Sequence, residues 1–284
     1  MKKYFSLVLF AHTLFALPFA FIGFFLAITT TASPFSWVKL ALMTLCMIFA
    51  RNAAMAFNRY LDRHIDAKNP RTLLRDIPSG RISANGALLF TIINSLLLIL
   101  STACINRLCL YLSPVALAIV LGYSYTKRFT PLCHLILGLG LSLAPIGAYL
   151  VITATFAWLP IFFSLAVLCW VSGFDIIYAL QDEEFDRAHQ LKSIPAWLGA
   201  KNALRFASYL HSLAALFIAL PLFFTPLGIP YGCGVFIFIT LLIYQHCLVK
   251  PDNLSRINRA FFTTNGMASV VFALLFFLDI YLRG

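Results

Sequence analysis

Residues 157–186, AWLPIFFSLAVLCWVSGFDIIYALQDEEFD, begin as an apolar run and end in a cluster of acids. From Ala157 to Phe174 there is no Asp, Glu, Lys or Arg, and then come Asp175, Asp182, Glu183, Glu184 and Asp186. One crossing of a hydrocarbon core takes roughly 20 apolar residues, so this stretch reads as a transmembrane helix carrying carboxylates at one end. The rest of the chain has the same character. Of its 284 residues 61% are hydrophobic and only 11% charged, against about 25% charged in a soluble domain. Mean hydropathy is +0.90. Disorder, collagen and disulfide scaffolds are excluded on the same composition. An all-α, polytopic membrane protein, with the lipid bilayer as its solvent, is what remains.

Counting the spans depends on two long runs free of charge, 129–174 and 206–249. Each is too long for one helix and holds turn chemistry near its middle: Thr153-Ala154-Thr155 before Pro160, and Pro221 with Thr225-Pro226-Leu227-Gly228-Ile229-Pro230. Splitting both predicts nine transmembrane helices near 5–29, 38–60, 86–105, 108–126, 131–152, 157–180, 202–221, 230–249 and 260–281. The first reads as a retained span rather than a cleaved signal, because Phe21-Ile22-Gly23-Phe24-Phe25-Leu26 continues past any cleavage point. With the N-terminus cytoplasmic, every Lys and Arg except Lys39, Arg51, Arg107 and Arg283 falls at the inner face, as the positive-inside rule requires. The net charge of +11 therefore reports orientation in the membrane, and no nucleic-acid partner is expected. The seven cysteines form no CxxC pair and read as packing residues. One domain covering 1–284 is expected.

The acids carry separate information, because they contribute little to orientation. They gather in two loops, after the second and sixth spans. The first group is Asn58-Arg59-Tyr60-Leu61-Asp62-Arg63-His64-Ile65-Asp66, and the second runs from Asp175 through Tyr178 to Asp182 and Asp186. In each, a polar side chain is followed at +4 and +8 by Asp, and helical residues four apart share a face. The interval between the groups is the same 120 residues for both pairs, from 62 to 182 and from 66 to 186. Matched motifs four spans apart read as an internal four-helix repeat with one extra helix. Four converging carboxylates repel one another unless cations sit between them. Hard oxygen donors without nearby Cys or clustered His point to Mg²⁺, which binds through a few carboxylates plus phosphates and water. With Arg71, Arg75, Lys127, Arg128 and Lys192 on the same face, a diphosphate site follows. The competing reading is plainer: acids at solvated helix ends, pairing with Arg59, Arg63 and Arg187.

On these motifs, together with His12-Thr13-Leu14-Phe15-Ala16-Leu17-Pro18-Phe19-Ala20 and the continuation Ile65-Asp66-Ala67-Lys68-Asn69-Pro70-Arg71-Thr72, the chain resembles the UbiA superfamily of intramembrane prenyltransferases. The likeness runs over essentially the full length and is nearest the bacterial 4-hydroxybenzoate polyprenyltransferases and their menaquinone-pathway relatives. It implies an active cavity opening at the cytoplasmic face. Asp62, Asp66, Asp182 and Asp186 would hold Mg²⁺ against a polyprenyl diphosphate, with Asn58 and Tyr178 beside them and Arg71, Arg75, Lys127, Arg128 and Lys192 on the diphosphate. The acceptor would be an aromatic acid, 4-hydroxybenzoate first and a hydroxynaphthoate second, in respiratory quinone biosynthesis. Many relatives have Asp directly after the motif Asn, where this chain has Arg59. That difference bears on subgroup and acceptor, not on metal binding.

Three further residues stand out. Arg51 lies inside the second span, and an intramembrane Arg faces a cavity or a partner. It shares a stripe with Met55, Asn58, Asp62 and Asp66, so it is expected to line the cavity and meet an acceptor carboxylate or the diphosphate; an ion pair with Asp175 is the alternative. Asp175 shares a helix face with Tyr178 and Asp182, where it would orient the acceptor hydroxyl or assist ring deprotonation. His12 reads as a hydrogen-bonded core histidine or an acceptor contact. A secondary transporter also has repeats and intramembrane charge, but it would place its polar groups at mid-membrane rather than in paired carboxylates at one face.

Overall fold

The computed structural model describes residues 13–283, with side chains from Phe15 onward. His12 and the beginning of the expected first span lie outside them. The described residues are helical, with a single isolated bridge between Lys250 and Asn253 and no strand. Eight helices among them are long and apolar enough to cross a membrane, and Phe15–Thr31 forms a shorter apolar helix. In chain order the main helices are α1 Thr13–Thr31, α2 Trp37–Asp66, α3 Ala84–Ala103, α4 Arg107–Thr126, α5 Cys133–Thr153, α6 Trp158–Ala179, α7 Ala200–Ala219, α8 Ile229–Leu248 and α9 Asn265–Arg283. The chain is a multi-pass membrane protein.

Local chemistry explains where these helices begin and end. Side-chain oxygens of Ser36, Ser83 and Asn106 accept from the backbone N–H of Lys39, Gly86 and Cys109 and so cap α2, α3 and α4. The break expected near 154 is a left-handed residue, Ala154 at φ 51°, ending α5. The second break is a short helix, Pro221–Phe224, followed by an extended Thr225. Before α9 comes one feature the sequence reading lacked, a π-helical turn at Arg259–Thr264.

The most enclosed long helix is α6. Its Phe163, Trp170 and Phe174 meet Phe19 and Phe15 of α1, Phe238 of α8 and Phe272 of α9 in edge and tilted ring contacts. Trp170 is fully buried and its indole N–H donates to Asn265 Oδ1 at 2.9 Å. Backbones approach closely where side chains are absent: a Cβ on Gly23 would lie 2.0 Å from the Pro145 carbonyl oxygen, so α1 rests directly on α5.

Charges divide between the two ends of the bundle. Lys39 Nζ donates to the Ile152 carbonyl at the far end of α5. There too Asp279 accepts the Gly228 N–H at 2.8 Å and pairs with Arg283. The opposite end carries the C-termini of α2, α4 and α6 and both carboxylate motifs.

Candidate active site

The C-terminal ends of α2 and α4 and the N-terminal end of α5 meet there with the segment following α6, around a polar cavity of about 320 Å³. Arg51, Asn58, Asp62, Asp66, Arg71, Arg75, Lys127, Asp175, Tyr178, Asp182 and Asp186 all line it. The stripe expected from Arg51 through Met55, Asn58 and Asp62 to Asp66 is present, because α2 stays helical through Asp66.

Each carboxylate of the first motif is buried and held by cations. Asp62 receives Lys127 Nζ at 2.6 Å on one oxygen and Arg128 Nη2 at 2.9 Å on the other, with Asn58 Nδ2 donating at 3.1 Å. Arg75 Nη1 reaches Asp66 Oδ1 at 2.7 Å. The other oxygen, Asp66 Oδ2, is buried and has no hydrogen-bond donor among the described residues. The loop 67–83 delivers Arg71 and Arg75 by local hydrogen bonds. Asn69 Oδ1 accepts the Arg71 N–H at 2.9 Å, and buried Thr72 returns its hydroxyl to the Asp66 carbonyl at 3.0 Å.

Asp182 is gripped differently. Arg71 binds it in a fork, Nε at 2.9 Å from Oδ1 and Nη2 on Oδ2, and Asn69 Nδ2 adds a bond of 3.0 Å. Burial works against the Arg71 charge, but the hydrogen bond and negative charge of Asp182 outweigh it and raise its pKa above the usual arginine value. The Arg71 guanidinium also lies over the Tyr178 ring, 5.6 Å from its centroid, and Tyr178 stacks on Phe261 of the π turn at 4.0 Å.

Two of the expected residues lie off the cavity wall. Arg128 acts on it through Asp62. Lys192 instead ties loops together, with Nζ donating to Phe129 O at 3.2 Å and its backbone N–H to Lys127 O at 2.7 Å. Two of the arginines in the plainer pairing scheme have partners outside the four paired aspartates: Arg187 pairs with Glu183, and Arg63 bonds the Tyr60 carbonyl and ring. Asp175 has His134 as its hydrogen-bond partner, Nδ1 to Oδ2 at 2.7 Å.

Sequence reasoning missed His134, Asn69, Thr72 and Tyr123. His134 is the only histidine in the charge-free run 129–174, which was its one available signal. Beyond Arg51, Met55, Tyr123, Leu137 and Leu141, which line both spaces, the polar cavity continues into an apolar one of about 430 Å³.

The donor set fits a divalent hard cation. It offers carboxylate oxygens only, and Asp66 Oδ2 is a buried acceptor without a donor. It is no ready-made cage, since no three His, Cys, Asp or Glu side chains gather to metal-binding distance among the described residues. Mg²⁺ needs no such cage, because it keeps one or two carboxylates and fills its octahedron with phosphate oxygens and water.

Residues 16–270 match the UbiA prenyltransferase family. The 4-hydroxybenzoate octaprenyltransferase of Tolumonas auensis is 29% identical over 239 residues, 84% of this chain and 83% of that one. Among solved structures, the apo structure of a UbiA homolog from Aeropyrum pernix K1 superposes with a TM-score of 0.85 at 32% identity, covering 95% of this chain and 98% of that one. A UbiA homolog from Archaeoglobus fulgidus, bound to GPP and Mg²⁺, shares the fold with a TM-score of 0.78 at 22% identity, covering 98% and 99%.

Proposed function

The chain belongs to the UbiA prenyltransferase family, and from that premise we propose that it transfers a polyprenyl group from an allylic polyprenyl diphosphate to an aromatic acid, releasing diphosphate. The favoured acceptor is 4-hydroxybenzoate, the acceptor that the name of the Tolumonas relative gives for that enzyme, and the pathway served is respiratory quinone biosynthesis. One observation carries the reading: four Asp side chains, with Arg71, Arg75 and Lys127 paired to three of them, face a polar cavity that continues, past Arg51, into an apolar one.

The apolar cavity takes the isoprenoid tail and the polar one the diphosphate. Asp62, Asp66, Asp182 and Asp186 would hold Mg²⁺, with Asn58 and Tyr178 beside them. Bound there, it would supply Lewis-acid neutralisation of the leaving oxygens. Arg71, Arg75, Lys127 and Arg128 already stand at these carboxylates, and they turn their remaining donors to the diphosphate as its charge develops. Lys192 contributes by fixing the backbone that carries Lys127. Arg51 pairs with the acceptor carboxylate where the two cavities join, and the surrounding apolar helices keep water from the allylic cation.

In the same reading the chain is one domain over 1–284. It has nine transmembrane helices arranged as a four-helix repeat plus one, a cytoplasmic N-terminus, and a cavity opening to the cytoplasm from a bacterial inner membrane. Support comes from Lys39 and Arg283 at the bundle end opposite the cavity.

The test is mass spectrometry of lipids from membranes given a polyprenyl diphosphate and either 4-hydroxybenzoate or a hydroxynaphthoate, with Mg²⁺ or EDTA. A Mg²⁺-dependent product heavier than one acid by one polyprenyl unit is expected. Folded protein that yields no product with either acid overturns the acceptor class.

A further inference from the structure

His134 has no task in the reading above, yet it lines the polar cavity and is 4% exposed. Its Nδ1 is 2.7 Å from Asp175 Oδ2. A carboxylate only accepts, so Nδ1 carries a hydrogen, and in its neutral form the ring has its lone pair on Nε2. That nitrogen is buried and has no hydrogen-bond partner among the described residues. Buried ring nitrogens without partners are rare and call for a reason.

The backbone is arranged to permit this pair. One turn after His134, a Cβ on Gly138 would lie 2.2 Å from Ser172 Oγ and 2.5 Å from the Leu168 carbonyl oxygen. Glycine there lets α5 press onto the α6 face that carries Leu168, Ser172 and Asp175. On α5, Leu137 and Leu141 continue from His134 along the wall shared by the polar and apolar cavities. The imidazole therefore stands in the polar cavity beside the wall along which the prenyl chain is expected to lie.

We propose that His134, oriented by Asp175, accepts the ring hydroxyl of the acceptor at Nε2 and takes its proton as the prenyl bond forms. This rests on the prenyl-transfer reading and names the group that recognises the hydroxyl. The C–O bond to diphosphate breaks and diphosphate leaves with that electron pair. A ring carbon beside the hydroxyl bonds to the allylic carbon, while the hydroxyl proton moves to Nε2 and the ring becomes a dienone. The C–H proton at the new bond then passes to diphosphate, and the proton on Nε2 returns to the ring oxygen. Asp175 stabilises the transient imidazolium through Nδ1, as a carboxylate does for histidine in hydrolytic triads.

The alternative is that the pair only ties α5 to α6. Full-length enzyme and the H134Q and D175N variants are compared on the hydroxy acid and on its methyl ether, which has no proton to give. Wild type is expected to use the ether at least about 10²-fold more slowly. H134Q should lower kcat on the hydroxy acid by about 10²–10⁴-fold, leave the KM for prenyl diphosphate within about twofold, and lose most of the preference for hydroxyl over ether. D175N should lose the same preference. Wild type that uses both acceptors equally overturns the proposal without any variant, so poor folding of H134Q cannot shield it. A uniform loss on both acceptors, with the preference kept, assigns the pair to structure and also overturns it. Wild type that yields no product with any acid sinks the prenyl-transfer reading, and this proposal with it.

Discussion

The two carboxylate motifs have the same spacing in sequence and different backbones in the structure. At the end of α2 the chain remains α-helical through Asp66, so Asp62 and Asp66 stack on one face with side chains 2% and 4% exposed. After α6 the helix stops at Ala179, tightens into a 3-10 turn over Leu180–Asp182 and restarts as a short helix at Glu183–Ala188. Asp182 is correspondingly more open, its side chain 18% exposed. A DxxxD spacing thus aims two carboxylates along a helix only where the helix continues. Where it tightens, as after Ala179, the second motif reaches the same cavity by a turn. One motif is a buried shelf on an unbroken helix, and the other is a more open edge held by an arginine fork.

The sharpest way to break that contrast is to remove one carboxylate from each side. D62N and D182N should each lower kcat by about 10²–10³-fold, since each strips charge stabilisation from the reacting centre. Stability should separate them. D62N leaves Lys127 and Arg128 facing an amide, and a melting measurement in detergent should show a loss of about 1–3 kcal/mol, less than a wholly buried pair because both cations are about a third exposed. D182N should cost about 0–1 kcal/mol. Equal losses of stability would mean that the difference in burial does not separate the two motifs.

Removing the arginines sharpens the same point with a smaller effect. R75Q takes away the cation paired to Asp66, whose second oxygen is already without a donor, and should cost about 1–3 kcal/mol. R71Q opens the more exposed fork at Asp182 and should cost about 0–1 kcal/mol. Both should raise the KM for prenyl diphosphate about tenfold, equivalent to ~1.4 kcal/mol of binding, read from initial rates with the acceptor saturating.

The π turn supports the second side, and Asn265 supports the π turn. Its Nδ2 donates to Phe261 O at 2.8 Å and to Ala260 O at 3.3 Å, while Oδ1 takes the Trp170 indole N–H. An N265L variant leaves that buried indole without an acceptor and should lose about 1–3 kcal/mol. If the turn also relaxes to α-helix, Phe261 leaves Tyr178, and turnover should fall with stability. Loss of stability at full turnover would show that this stacking does not shape the cavity.

How much of this was legible in the sequence depends on the range of the interaction involved. The breaks at Ala154 and after Pro221 are local events of turn-forming residues, and both were visible. So was the stripe from Arg51 to Asp66, because helical periodicity fixes it once α2 is uninterrupted. The cations that hold each carboxylate were named as a group, but their pairing was not readable. Arg71 crosses to Asp182 and Arg75 returns to Asp66 because of how Asn69 and Thr72 fold one loop. The 3-10 turn and the π turn were invisible for a related reason: the bonds that hold the π turn come partly from Trp170, 95 residues away in sequence. His134 was overlooked because a single histidine in an apolar run looks like packing until Asp175 is brought against it.

The smallest expected effect separates the assigned pairing from the plainer one. Were the acids merely solvated helix-end groups, Arg187 would matter as much to the second motif as Arg71. Arg187 pairs with Glu183 at 2.9 Å, four residues back on the same short helix, and its side chain is 53% exposed. Such a pair gains little from Coulomb attraction in water and loses side-chain entropy when ordered. It also donates to the Ala196 carbonyl, a bond that water replaces readily at this exposed position. R187A should therefore change stability by no more than about 0.5 kcal/mol and leave the KM for prenyl diphosphate within about twofold. Were R187A instead to match R71Q in both measurements, the division between a diphosphate-facing arginine and a surface one would fail, and with it the distinction between the two sides of the cavity.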